Sequence, residues 1–516
     1  LEATRRIVGP FIAIVAIIFI VYALFGHNLP DDLASRPILT NRLIVYLGID
    51  TNAVFGRALD IGVFVIVPFL LMGKFLTLCG GASFFSDIST ATMGRSRGGA
   101  AKVSLIGSIL FGSISGSAVA NVAGTGIVTI PLMKNSGFPP RVAAAIEAVA
   151  STGGQLMPPV MGASAFLMAE FLEVPYSTIM LAAITPAVLY YAALFIYVDL
   201  KARELDLKMV ELDQIPKVKD VLRRGWFIPT PFIIFLGSIF IFNFQPQNAA
   251  LLAALILFFT GFMTSYQGKK ISIRDFYRAM LDTSSAAVEI IIICAIAGMV
   301  IGSLNLSGLA FNLSQHLVLL SGDNLFGLLF MAAIVSIILG MGMPTVGVYV
   351  LLSALVAPAL IEAGIEPIVS HMFVLYFGML SMITPPVALA SAVAAKLANT
   401  THWKASVASM HVGWVAYIVP FVFVGYPALI MFGTAPEFFW AVFLAVSVVF
   451  AGTVAMNGYF LQKLSRRSHI LLTVAVTITL LGKFFPGEDI ISEIAGLTLM
   501  YFILGRSFLK SRSVKS

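Results

Sequence analysis

The sequence predicts an all-α polytopic membrane protein, an inverted-topology repeat with two re-entrant helical hairpins and two discontinuous helices. Three observations predict it. The chain is 59% hydrophobic and 11% charged, with a mean hydropathy of +0.97, where a soluble chain carries roughly a quarter charged residues. Apolar runs near the ~20 residues that a bilayer core requires recur from end to end. Two apolar regions are also interrupted by small residues and followed by a Pro-Pro break. Gly112 and Gly340 are 228 residues apart, and Pro158-Pro159 and Pro385-Pro386 are 227 apart.

Residues 1–55 hold a first apolar run, 7–26, behind Arg5-Arg6. It is longer than a signal-peptide core and reads as a retained span. The chain begins at Leu1, so an N-terminal part is expected to be missing from this sequence. Residues 56–200 form the first repeat: a span at 60–80, a cytoplasmic-side hairpin at 98–135, a broken helix at 141–168 and a span at 177–198. Residues 201–284 supply cytoplasmic linkers and scaffold spans at 226–243 and 249–266. Residues 285–435 repeat the pattern, with a span at 285–303, a periplasmic-side hairpin at 322–362, a broken helix at 370–398 and a span at 411–431. Residues 436–516 add spans at 437–457, 468–484 and 490–505. The hairpins follow from "FGSISGSAVANVAGTG" (111–126) and "LGMGMPTVG" (339–347), which interrupt the apolar regions 103–133 and 326–361. At about 1.5 Å per residue, neither half of either region can cross a ~30 Å hydrocarbon core.

Charge placement gives the orientation. With the C-terminal tail in the cytoplasm, 25 of the 32 Lys and Arg fall in cytoplasmic loops or the tail, and Lys74 lies near the cytoplasmic end of its span. The facing loops at 169–176, 244–248, 304–325, 362–370 and 432–436 carry none, and Lys483 is the exception beyond residue 60. This matches the positive-inside rule. It explains the net charge of +7 by topology and leaves no role for nucleic acid. The two hairpins then enter from opposite sides, the pattern of secondary transporters with a midplane site.

Breaks such as "STGGQLMPP" (151–159) and "SMITPP" (381–386) are tolerated at membrane depth only inside protein or beside a wet cavity. A helix stopped there presents free carbonyls or N–H groups, which suit a cation and a carboxylate respectively. Glycines permit close approach, and Pro-Pro removes donors. Small residues also serve ordinary helix packing, but packing does not explain four breaks at matched spacing.

These segments resemble a known family. "FGSISGSAVANVAGTGIVTIPLMK", "STGGQLMPPVMGASAFLMAE", "GMGMPT" and "SMITPPVALASAVAAKLA" are similar to the fused permease of tripartite ATP-independent periplasmic (TRAP) transporters. The branch is the one that works with TAXI-type binding proteins, and the likeness covers roughly residues 55–435. It implies an elevator-type transporter of the bacterial inner membrane, taking up a small organic acid with Na⁺ from a periplasmic TAXI-type partner. It further implies one sodium site at Ser115, Ser117, Gly154, Met157 and Pro159, and a second at Gly340, Gly342, Ser381, Thr384 and Val387. Ser117, Asn121, Thr125, Gln155 and Thr345 are the implied substrate contacts; many relatives carry Asp where Asn121 stands, and Gly where Ser381 stands. Residues 7–26 stand for the family's small-subunit-like part. The role of the helices after 436 is left open.

Glu147, one turn before the first break, either pairs with Arg141 or carries a proton, in which case coupling is to H⁺. Lys74 and Lys396 are expected to reach the interface, with attraction of an anionic substrate a second role for Lys396. Asp60 and Glu289 are expected near span ends. The six histidines and two cysteines form no ligand spacing, so no transition-metal site is expected. "GSISG" misses the nucleophile elbow. No Gly-Lys pair completes a P-loop, so neither nucleotide nor organic cofactor is expected. An intramembrane transferase would need His, Asp or Glu converging at one depth, where this chain has hydroxyls and glycines. A channel would build its pore by symmetry between subunits.

Overall fold

The computed structural model describes residues 1–30, 34–207, 215–268, 271–322, 324–484 and 489–513. Lys208, Lys269, Lys270 and Lys515, expected on the cytoplasmic side, and position 323 of the second hairpin lie outside the described residues. Nine helices among the described residues are long and apolar enough to cross a membrane.

The N-terminal segment forms α1 (Glu2–Ile7), α2 (Pro10–Phe25) and α3 (Thr40–Ile49). In the first repeat α4 (Arg57–Asp60) runs through a π-helical stretch into α5 (Val67–Leu78), followed by α6 (Gly81–Met93). The hairpin arms are α7 (Gly99–Ser115) and α8 (Ala118–Asn135), the broken helix is α9 (Pro140–Gly153) with α10 (Ala163–Phe171), and α11 (Tyr176–Glu204) closes the unit. A connection of α12 (Val218–Arg224), α13 (Thr230–Phe240) and α14 (Pro246–Met263) leads to the second unit. That unit runs α15 (Ile273–Ser307), α16 (Leu309–Ser321), hairpin α17 (Leu325–Gly340) with α18 (Thr345–Leu355) and α19 (Ala357–Glu362), then broken helix α20 (Pro367–Leu380) with α21 (Leu389–Ala398), then α22 (His402–Val412) and α23 (Trp414–Gly425). The chain ends in α24 (Ala435–Asn457), a two-residue antiparallel strand pair with Tyr459 opposite Lys463, α25 (Arg466–Leu481) and α26 (Asp489–Ser513).

Three features differ from the sequence expectation. α6 and α16 were not expected, because neither is apolar enough to span. The span at 411–431 is divided at Gly413 into α22 and α23. α15 starts at Ile273, well before residue 285, so Glu289 lies in its middle rather than near its end.

The two units share their backbone details. Gly80 and Gly308, 228 apart, both adopt left-handed φ (+87° and +75°) between a span and the short helix after it. α9 and α20 both begin on Pro at the first helical position, where the missing N–H costs nothing and the fixed φ favours the helix. Both are buried along almost their whole length. The units are also inverted. A Cβ on Gly62, just before α5, would lie 3.0 Å from Cys294 Sγ, while farther along Lys74 Nζ stands 3.8 Å from Asp282 Oδ2. Position numbers rise along one helix as they fall along the other, so the equivalent helices α5 and α15 pack antiparallel.

Candidate functional site

Each broken helix ends in a short turn, a cis Pro-Pro bond (158–159 and 385–386) and a left-handed residue, Met161 (φ 63°) or Ala388 (φ 39°). Tyrosines from α11 hold the first break. Tyr190 donates to Val149 O at 2.6 Å, Tyr191 to Ala150 O at 2.7 Å, and Tyr176 to Val160 O at 2.6 Å. These bonds satisfy buried carbonyls that water cannot reach.

The hairpin tips press on the breaks in equivalent ways. A Cβ on Gly112 would lie 2.7 Å from Gly154 Cα, and one on Gly340 would lie 2.8 Å from Ser381 Oγ. Ser381 Oγ is within 2.8 Å of Gly340 O and 2.7 Å of Gly378 O. Gly342 takes φ +79° and packs toward Val387. Thr384 Oγ1 donates to Leu380 O at 2.7 Å and meets Tyr417 OH at 2.6 Å. At the first tip Ser117 Oγ caps α8, accepting from Ala120 N at 3.4 Å. Pro159 O accepts from Tyr176, and Gly154 O accepts from Met157 N at 3.3 Å. Ser115 Oγ and both amide atoms of Gln155 are buried without a hydrogen-bond partner. Orphaned buried polar atoms are expensive; the Ser115 and Gln155 oxygens among them suit a hard cation such as Na⁺, whereas the Gln155 Nε2 donor does not.

Both tips and both breaks meet at a central cavity of about 540 Å³. Ser115 and Ser117 of the first tip, and Gly342 and Thr345 of the second, line it. Met161 and Leu389 enter from the breaks, and among the described residues Glu289 of α15 is the one charged residue lining this cavity. The N-terminal turns of α8 and α18 open into it. A second cavity of about 310 Å³ shares Phe69, Ile114, Ser115 and Ala120 with the first. A third, of about 280 Å³, shares Ala82, Phe85 and Phe111 with the second and reaches Asp87 and Gln267. Together they form a groove along hairpin α7–α8. A larger depression of about 680 Å³ on α3 is open to the surroundings and touches none of the breaks.

Several expected contacts are placed elsewhere. Asn121 is fully buried and does not line the cavity; its Nδ2 donates to Ser108 O at 2.9 Å and Ser151 O at 3.3 Å, fastening hairpin to broken helix. Thr125 bonds to Glu147 and lines the third cavity, away from the central one. Gln155 lies behind the first tip. Glu147 does not pair with Arg141. Its carboxylate accepts from five hydroxyls: Ser104 at 2.6 Å, Thr129 at 2.5 Å, Ser108 and Ser151 each at 3.2 Å, and Thr125. Sequence reasoning missed this cluster, although its signal is legible: 104/108, 125/129 and 147/151 are each spaced by one helical turn.

The family model for the tripartite ATP-independent periplasmic transporter, DctM component, matches residues 1–438. The chain belongs to this DctM family. It is 26% identical over 329 residues to the C4-dicarboxylate TRAP transporter large permease protein DctM of Pseudomonas aeruginosa, covering 62% of this chain and 74% of that one. It is 24% identical over 373 residues to the 2,3-diketo-L-gulonate TRAP transporter large permease protein YiaN of Escherichia coli, covering 72% and 83%. Its fold is similar to that of the Alcanivorax borkumensis YdaH transporter, with a TM-score of 0.51 at 16% identity over 84% of this chain and all of that one. As a DctM-family protein the chain is a multi-pass permease of the inner membrane, of the class that carries organic acids and works with a periplasmic substrate-binding protein.

Proposed function

We propose that the chain performs Na⁺-coupled uptake of a small organic acid, of the C4–C5 dicarboxylate or keto/hydroxy acid class. A TAXI-type binding protein delivers the substrate, and an elevator movement of the hairpins and broken helices carries it past α5 and α15. The observation that carries this reading is the central cavity. Its size suits a small ligand, and two helix N-termini with Ser117 and Thr345 offer N–H and O–H donors to carboxylates. Among the described residues no Lys or Arg lines it, while Glu289 does. An anionic substrate in so poorly charged a site must bring its own cations, because an unpaired buried charge costs several kcal/mol. The oxygen-rich positions at each tip, Ser115 and Gly154 on one side and Ser381 and Thr384 on the other, are where Na⁺ would sit.

The test is uptake of radiolabelled succinate and 2-oxoglutarate into proteoliposomes, after a thermal-shift screen of the purified binding protein has chosen the better probe. Uptake should require both the binding protein and an inward Na⁺ gradient. Ser115→Ala, Gly154→Ala and Thr384→Ala should each weaken sodium activation. Equal uptake in sodium and choline, or uptake without the binding protein, would refute the proposal.

A further inference from the structure

We infer that Glu147 with its five hydroxyls is a proton-binding site that travels with the carrier helices and empties toward the cytoplasm through the cavity beside α6, so that a proton accompanies the sodium ions. The inference rests on the transport reading above.

The first argument is the absence of the cluster from the second unit. Applying the repeat offset (228 in the first hairpin arm, 227 after the tip) places Ala332, Ser336, Leu352 and Val356 where the first unit has Ser104, Ser108, Thr125 and Thr129. Val374 and Gly378 stand for Glu147 and Ser151. The same helix-on-hairpin packing is therefore built once from hydrocarbon with a single serine, Ser336, and once around a fully buried acid. Packing does not require the acid, and a buried ionisable group is more costly than the valine that replaces it. Its retention in a membrane interior marks function.

The second argument is chemical. A carboxylate only accepts hydrogen bonds, whereas a carboxylic acid must also donate one. Hydroxyls can serve both forms, because each can donate a hydrogen bond to the carboxylate, or turn its O–H to another acceptor and accept from the acid. The alternative acceptors are in place: Thr125 Oγ1 is 2.8 Å from Asn121 O, and Thr129 Oγ1 is 3.1 Å from Thr125 O. The step is one proton joining a carboxylate oxygen and later returning to water, with no other bond made or broken.

The third argument is access. Thr125 and Thr129, both bonded to Glu147, line the cavity of about 280 Å³ between α6 and hairpin α7–α8. Asp87, which accepts from Tyr266 OH at 2.6 Å and Gln267 Nε2 at 2.7 Å, lies on the same cavity. The proton therefore has a route from the carboxyl, through two hydroxyls, to a cavity that the loop charges assign to the cytoplasmic side. Other titratable groups on the packed helices are engaged or remote. Tyr191 of α11 donates to Ala150 O at 2.7 Å. Lys102 of α7 pairs with Asp199 at 2.8 Å, and Lys134 at the end of α8 donates to Ala398 O at 3.0 Å. Arg141 of α9, Lys396 of α21, and His402, Lys404 and His411 of α22 make no bond to Glu147 among the described residues.

The experiment uses the full chain in lipid nanodiscs, titrated with acid while the protonated-carboxyl C=O stretch is followed by difference infrared spectroscopy. A band should appear in the wild type and be lost in Glu147→Gln. Its midpoint should shift in the double variant Thr125→Val/Thr129→Val and stay unchanged in Ser336→Ala. In proteoliposomes with the binding protein and a fixed Na⁺ gradient, acid outside should speed wild-type uptake and leave Glu147→Gln unaffected. A band that survives in Glu147→Gln overturns the proposal, as does sodium-driven wild-type uptake indifferent to the pH gradient. If Glu147→Gln fails to fold, an unmoved midpoint in the double valine variant overturns it instead. Wild-type protein that takes up neither probe under any gradient removes the transport reading, while the infrared result still decides whether Glu147 binds a proton.

Discussion

Gly153 lies under the ring of Tyr190, where an added Cβ would come within 2.2 Å of a ring carbon. Alanine there must push the ring away and break its bond to Val149 O. We expect Gly153→Ala to destabilise the protein by about 1–3 kcal/mol through overpacking. Tyr190→Phe, which loses only one hydrogen bond, should cost about 1 kcal/mol. Thermal unfolding in detergent ranks them; equal stability of Gly153→Ala and wild type would disprove the ring contact. At this scale the sequence was partly legible. The Pro-Pro pairs and tip glycines announce themselves, because few residues break a helix in hydrocarbon without a reason. Asn121 and Thr125 misled. Both stand on the arm that leaves the tip, but which face of α8 meets α9 depends on packing that spacing alone does not give. Glu147 was noticed as a lone acid, whereas its meaning comes from five hydroxyls on three helices.

The helices least legible in the sequence were α6 and α16. Segments such as "GASFFSDISTATM" (81–93) are too polar to read as spans; α6 packs on hairpin arm α7, and α16 on α17 and α19 of the second hairpin. Gly80 and Gly308 carried the clue, since a left-handed residue after a span marks a sharp turn. The C-terminal helices raise a different question, because the family match ends at residue 438. α24, α25 and α26 enclose a small core of their own, joined by Leu200 of α11. Glu493 of α26 accepts from Trp440 Nε1 of α24 at 3.0 Å, and from the OH of Tyr426, which follows α23 and so ties α26 to the transporter. Glu493→Ala would remove the acceptor of the Trp440 Nε1 and Tyr426 OH bonds, at about 1 kcal/mol. The expected outcome is a lower unfolding temperature for Glu493→Ala, largely restored by Glu493→Gln, with sodium dependence of uptake intact. A loss of sodium dependence would show that α26 takes part in transport rather than bracing it.

For the whole molecule, inversion is the property on which the two-sided site depends. Sequence offset and loop charge suggested it, and the antiparallel packing of α5 on α15 gives it a geometric basis. The offset alone could not, because a repeat in the same orientation would have the same spacing. Inversion has a consequence at the far ends of the hairpins. Asn135 closes the first hairpin and Glu362 the second; they are 227 residues apart and both are exposed. In a parallel repeat two such positions would share one side of the membrane. In an inverted repeat they must face opposite compartments, and Asn135, beside Lys134 and Arg141, is expected on the cytoplasmic side. The native cysteines, Cys79 and Cys294, are both buried, so Cys79→Ala/Cys294→Ala provides a quiet background. In intact cells a membrane-impermeant thiol reagent should label Glu362→Cys at once and Asn135→Cys only after the membrane is opened. Labelling of both from outside would leave the hairpins on one face. The tips could then no longer close a shared cavity from two directions, and alternating access through it would have no structural basis.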